Sequence, residues 1–78
     1  TASLTSPAEG SFRAGEVVNV AGTALPGWVV SAGGNPLAQD ENNRFVGQVA
    51  APGDTRALAI QFAHPQRGIH YYLRRSAR

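Results

Sequence analysis

The 78-residue chain contains no cysteine, no methionine and no lysine, a single tryptophan, and five acidic side chains against seven arginines. Each shortage excludes something. Without cysteine, neither a disulfide framework nor a thiolate metal site holds the fold, and the redox compartment stays open. Without lysine, the two glycines spaced five apart in Gly22-Thr23-Ala24-Leu25-Pro26-Gly27 do not open a phosphate loop. Such a loop continues into a lysine, a hydroxyl and a helix start, whereas this one continues into Trp28-Val29. No apolar run approaches the roughly 18 residues that cross a bilayer, so no membrane insertion is expected. Residue 1 is not methionine, which is expected of a segment excised from a longer protein or of a mature form after signal removal.

Sustained helical periodicity is missing as well. Nine glycines and five prolines punctuate the chain every few positions and leave helices no room. What remains is one domain over residues 1–78, of a size that buries only about 60% of its unfolded surface and must be held by packing alone. Segments 1–6 and 75–78 are expected to be flexible ends.

Between the punctuation marks lie six or seven short runs of period two, the signature of strands with one wet face. Ala2 to Thr5 is the first, with Phe12 as a plug beyond the Ser6-Pro7 and Ala8-Glu9-Gly10 loop. Glu16 to Gly22 sets Val18 and Val20 on one side and Asn19 on the other. Leu25-Pro26-Gly27-Trp28 reads as a type II turn, because Pro26 pre-sets φ at its second position and Gly27 supplies positive φ at its third. Trp28 to Ala32 follows, with Trp28 and Val30 on one face. Gly33-Gly34-Asn35-Pro36 turns the chain into a short strand near Leu37. Asp40-Glu41-Asn42-Asn43 is a further turn, leaving either Ala38 or Leu37 opposite Phe45. Arg44 to Ala50 points Phe45 and Val49 inward and ends at Pro52-Gly53-Asp54.

The last two runs alternate most clearly. Arg56 to His64 carries Leu58, Ile60 and Phe62 on one face; Gly68 to Arg75 carries Ile69, Tyr71 and Leu73 on one face and His70, Tyr72 and Arg74 on the other. A four-residue loop Pro65-Gln66-Arg67-Gly68 pairs Phe62 with Tyr71 and Ile60 with Leu73, gathering every large apolar residue on one side. Strands about ten residues apart, joined by turn chemistry, predict an all-β, two-sheet antiparallel sandwich.

Chemistry-bearing groups are sparse. Asp40 and Glu41 are adjacent in a turn, where both are wet, so they do not make an acid–base pair. The four oxygen-bearing side chains at 40–43 lack the spacing of a calcium loop and read as an Asx turn. The expected hairpin register sets His64 and His70 on opposite faces, which excludes a shared metal ion and leaves the serines without an oriented base. No cofactor, metal or catalytic residue is assigned. The same register puts His70, Tyr72 and Arg74 in a row on a wet face, across from Gln61 and the small Ala59 and Ala63. Such a row offers an aromatic ring and a cation to a glycan, an anionic polymer or a protein. Trp28 reads first as a core residue; on an outer face it would stack on a sugar.

Charge is uneven. Residues 1–55 carry Arg13 and Arg44 against Glu9, Glu16, Asp40, Glu41 and Asp54, a net of −3, whereas Arg56, Arg67, Arg74, Arg75 and Arg78 give residues 56–78 a net of +5. That end suits an anionic partner, or is simply a solvated strand and a basic tail. The cations are too few among the aromatics to neutralise many phosphates, so nucleic acid is not the expected partner.

In order along the chain, Thr5-Ser6-Pro7-Ala8-Glu9-Gly10, Val18-Asn19-Val20-Ala21-Gly22, Pro26-Gly27, Val30 with Gly34, Pro36-Leu37, Asp40 with Arg44-Phe45, Gly53 and Leu58-Ala59-Ile60 resemble small bacterial immunoglobulin-like β-sandwich modules. These are of the glucodextranase B-domain type, found in secreted and surface proteins. The likeness runs along nearly the whole chain but consists of turn chemistry and alternation. Asn43 stands where such modules carry a glycine near the aromatic, and Ile69-His70-Tyr71-Tyr72-Leu73-Arg74-Arg75 is more aromatic and basic than a plain spacer. The resemblance implies an immunoglobulin-like sandwich of six or seven strands and a non-catalytic structural, spacer or adhesion role in an extracellular, cell-surface or periplasmic setting. Its partners would be other domains of a parent protein or neighbouring subunits. Two alternatives stand beside it. One is a carbohydrate-binding module using His70, Tyr72, Arg74 and Trp28 on a polysaccharide. The other is a self-assembling surface or filament subunit that donates the Thr1 to Thr5 strand to a neighbour.

Overall fold

The computed structural model describes residues 2–51, 53 and 57–77. Thr1 and Arg78 of the two terminal segments, and Pro52, Asp54 and Arg56, assigned above to the end of one strand and the start of the next, lie outside the described residues. The fold is all-β, with seven strands: β1 (Ser3–Ser6), β2 (Val17–Thr23), β3 (Val29–Ala32), β4 (Asn35–Pro36), β5 (Arg44–Ala50), β6 (Ala57–His64) and β7 (Gly68–Arg75). They form two antiparallel sheets, β1-β2-β5 and β4-β3-β6-β7, in a small β-sandwich. Among the described residues no helix is long and apolar enough to cross a membrane.

Turn chemistry places most strands where the sequence implies; the exception is β4, which lies at Asn35–Pro36 and not near Leu37, because the turn before it is two residues long instead of four. The Trp28 amide donates to the Leu25 carbonyl at 3.2 Å and Gly27 has φ +86°, the geometry of a type II turn. Gly33 and Gly34, both at positive φ, close a two-residue hairpin that pairs Ala32 with Asn35. Asp40 Oδ1 accepts from the Asn42 and Arg44 amides, and Asn43 takes φ +62°, so the turn at 40–43 is capped by its own first residue. It sets Gln39 opposite Phe45, rather than Ala38 or Leu37, because the Asp40 amide bonds the Arg44 carbonyl and the loop proper is three residues long.

The inward rows meet in one core. Val18, Val20, Phe45 and Val49 come from the first sheet and Val30, Leu58, Ile60 and Phe62 from the second, with Leu4 and the expected plug Phe12 at one side. The Phe45 and Phe62 rings meet edge to face across the sheets, 5.7 Å apart. Gly22 of β2 lies between Leu4 of β1 and Phe45 of β5. A Cβ there would strike the Ser3 carbonyl and stand 2.6 Å from Phe45 Cζ.

One expected register is overturned. β6 and β7 pair Phe62 with His70, Ile60 with Tyr72 and Leu58 with Arg74. The slip is one residue, and it reverses the faces of β7. His70, Tyr72 and Arg74 lie on the inner side with the core row, while Ile69, Tyr71 and Leu73 lie outside, 55%, 59% and 60% exposed. Two local causes are visible. His64 Nδ1 accepts from the Gln66 and Arg67 amides at 3.1 and 3.2 Å, which shortens the loop to Pro65-Gln66-Arg67 and leaves Gly68, at φ +93°, opposite His64. The polar ends of the inner row then find partners on β1 and on the residues either side of it. Tyr72 Oη donates to the Ala2 carbonyl at 3.3 Å, and Arg74 Nε and Nη2 donate to the Pro7 and Leu4 carbonyls at 3.1 and 3.2 Å. β7 borders the sandwich, so an inward arginine reaches carbonyl groups there instead of being stranded in a core.

Candidate functional site

The Leu25–Trp28 turn and β7 border an open groove of about 350 Å³ at one end of the sandwich. Trp28, His70, Tyr71 and Tyr72 supply its rings, Leu25 and Ala2 its remaining sides, and Phe62 its base. The local fold dictates this gathering. The type II turn swings Trp28 to the rim of the core, half-buried, and the short hairpin loop turns His64 and His70 to the same inner side of the sheet. The indole ring lies 5.2 Å from His64 and 5.5 Å from His70, tilted by 49° and 44°. The expectation that the two histidines diverge is therefore corrected, because the one-residue slip moves His70 across the sheet. Tyr72 lies 4.9 Å from the Phe62 ring and joins the groove to the core.

Three of the four sequence-assigned binding residues, Trp28, His70 and Tyr72, thus share one groove. The fourth does not: the Arg74 guanidinium is held on the β1 side by the Leu4 and Pro7 carbonyls. Nor do His70, Tyr72 and Arg74 form a flat wet row beside Gln61, Ala59 and Ala63, since Gln61, Ala59 and Ala63 lie on the opposite face. Chemically the groove is an aromatic, mainly apolar concavity with imidazole and phenol groups at its border. Both amide contacts of His64 Nδ1 are internal to the hairpin loop. Among the described residues no three His, Cys, Asp or Glu side chains gather closely enough to hold a metal ion.

A second surface was not marked by the sequence pattern. On the outer face of the four-stranded sheet, Val29, Ala63 and Ile69 align across β3, β6 and β7. Ser31, Gln61 and Tyr71 form the next row, with Ala59 beside Leu73 beyond it. None of these side chains is charged, and Ser31 Oγ donates to Gln61 Oε1 within the sheet. The signal that would have exposed this face is local: a histidine just before Pro-Gln-Arg-Gly can accept amide hydrogens as an Asx side chain does, shortening the loop and inverting β7.

No family model, no curated protein and no solved structure matches the chain.

Proposed function

We propose that the chain is a non-catalytic immunoglobulin-like module that works outside the cytoplasm by association, spacing, stabilising or adhering within a larger secreted or surface protein or an assembly. The observation that carries this reading is the uncharged stretch of the four-stranded sheet's outer face, from Val29, Ala63 and Ile69 to Ala59 and Leu73, beyond which Arg75 follows on β7. A solvated strand face ordinarily carries charged side chains, whereas this one presents Val29, Ile69, Tyr71 and Leu73 at more than half exposure with small residues between them. Apolar and aromatic surface without charge is the composition of the centre of a protein interface. The strand order supports the immunoglobulin-like class. The first, second and fifth strands share one sheet and the third, sixth and seventh the other, as in sandwiches of that class, with the short β4 beside β3 in the manner of a variable-type addition.

The test is to map the folded chain with a small apolar co-solute such as isopropanol, following methyl and ring resonances. Responses are expected to concentrate on Val29, Ile69, Tyr71 and Leu73. An equal response at Val17 and Val46, the exposed valines of the other sheet, would remove the reason for singling out this face.

A second reading, carbohydrate binding, is favoured by one observation: Trp28, His70 and Tyr72 border a single groove whose rings offer stacking surface. Titration with soluble cell-wall and plant polysaccharides tests it, and unmoved resonances at these three residues would dismiss it. Strand donation from the N-terminal segment has less in its favour. Ser3 and Leu4 pair with Thr23 and Gly22 of the same chain, and Leu4 is buried, so release would break contacts already made.

A further inference from the structure

β7 ends its sheet, and Arg75 reveals which of its backbone groups face outward. The Arg75 amide donates to Glu9 Oε2 at 3.0 Å and its carbonyl accepts from the Gly10 amide at 2.8 Å, so both groups point away from β6. Two residues on, the Ala77 amide donates to the Phe12 carbonyl, in the same direction. Backbone direction alternates along an antiparallel strand, and the β6–β7 pairing runs from Ala57 with Arg75 to His64 with Gly68 without a shift. Ile69, Tyr71 and Leu73 therefore also aim their amides and carbonyls away from β6. The segment from Glu9 to Phe12 occupies only the Arg75 end of this edge. Over Ile69 to Leu73 no described strand lies alongside; among the described residues, the Leu73 carbonyl accepts a long 3.4 Å bond from the neighbouring Arg74 Nη1.

We infer that this edge is a β-augmentation site for one extended peptide segment, with apolar residues at alternate positions and a carboxylate at the end beside the hairpin loop. The inference rests on the association reading above and names the partner's chemistry. The main chain supplies a ladder, and the outer-face row Ile69, Tyr71 and Leu73 supplies apolar neighbours for every second partner residue. Charge fixes one end. Arg67 stands in the hairpin loop, and from Pro65 to Ala77 there is no acidic residue in the sequence. Arg75, at the far end, already has Glu9 against it: Oε2 accepts from its amide at 3.0 Å and Oε1 lies 3.7 Å from its Nε. At about 3.3 Å per residue, a partner of roughly seven residues covers the edge from Gly68 to Arg74. A second copy is the poorer occupant: antiparallel pairing of Tyr71 with its own copy sets Arg67 against Arg75, and parallel pairing sets each arginine beside itself, with like charges opposed in both cases.

The experiment titrates the folded chain with the peptide Asp-Val-Thr-Val-Thr-Val-Glu and with a control whose two ends are lysine, following backbone amide resonances. The acid-ended peptide is expected to shift Ile69, Tyr71 and Leu73 in a saturable way that weakens with salt, and the lysine-ended one to leave them still. Arg67→Glu should raise the dissociation constant of the acid-ended peptide about fivefold and let the lysine-ended one bind. Tyr71→Pro removes an outward amide at a position where an edge strand tolerates proline, and should abolish binding. Should that variant fail to fold, Arg67→Glu, in an exposed loop, carries the test. Edge amides that stay still at millimolar peptide, indifference to the end charges, binding retained by folded Tyr71→Pro, or dimerisation of the free chain through β7 would each overturn the inference. Co-solute responses on the outer face with silent edge amides would leave the association reading standing and remove this one. Edge binding with an unresponsive outer face would do the reverse.

Discussion

Arg74→Met separates the observed hairpin from its one-residue neighbour. With Ile60 paired to Leu73, Arg74 would point to water and its replacement would be silent. In the fold, its guanidinium spans the edge of the sandwich to the Leu4 and Pro7 carbonyls. Hydrogen bonds from a charged donor contribute about 1.5–3 kcal/mol each. Arg74 is only half-buried, so solvent screens its charge and water can reach the freed carbonyls, which brings the two bonds together to about 2 kcal/mol. Methionine preserves the apolar stem, so the loss reports the polar head. A chain of this length has a total stability on the order of 4–12 kcal/mol, and the variant should therefore melt about 8–16 °C lower. Leu73→Ser is the companion measurement. Leu73 is 60% exposed, and its replacement should stay within about 0.5 kcal/mol, where a core leucine would lose about 2–5 kcal/mol. Guanidinium unfolding followed by the fluorescence of Trp28, the sole tryptophan, reads both. The reverse ordering, with a silent Arg74→Met and a severe Leu73→Ser, would refute the pairing of β6 with β7 and with it the outer apolar face.

Three further outcomes follow from the packing. Gly22→Ala should destabilise by about 1–3 kcal/mol in chemical denaturation, because its methyl group meets the Ser3 carbonyl and the Phe45 ring, and one of those neighbours is main chain. His64→Ala should lose about 1 kcal/mol by releasing the Gln66 and Arg67 amides, and His64→Asn should recover most of it, since an Asx oxygen can accept the same amides; thermal melts of the pair check this. Phe62→Ala should lose about 3–5 kcal/mol, enough to unfold much of the population at body temperature by circular dichroism, because this ring contacts both Phe45 and Tyr72.

Much of this architecture is legible in the chain. Alternation at Val18 and Val20, at Phe45 and Val49, and at Leu58, Ile60 and Phe62 identifies buried faces, since each of these strands has neighbours and an opposing sheet. The turn at Pro26-Gly27 is equally readable, because its backbone angles require those two residues. The candidate site is legible in part. Trp28, His70 and Tyr72 stand out by type, but their convergence depends on a pairing that their own alternation does not reveal.

β7 is the element that local pattern misassigns, and the reason is physical. Its two faces carry Ile69, Tyr71 and Leu73 or His70, Tyr72 and Arg74, and hydrophobicity alone sends the first set inward. The sequence by itself determined six or seven extended segments, most of their turns and most of the core, since these follow from dihedral preference and periodicity. Only the tertiary structure decided which face of the last strand is dry. That choice turns on an imidazole capping its own loop and on the carbonyl groups of Ala2, Leu4 and Pro7, some seventy residues upstream, arriving within reach of Tyr72 and Arg74.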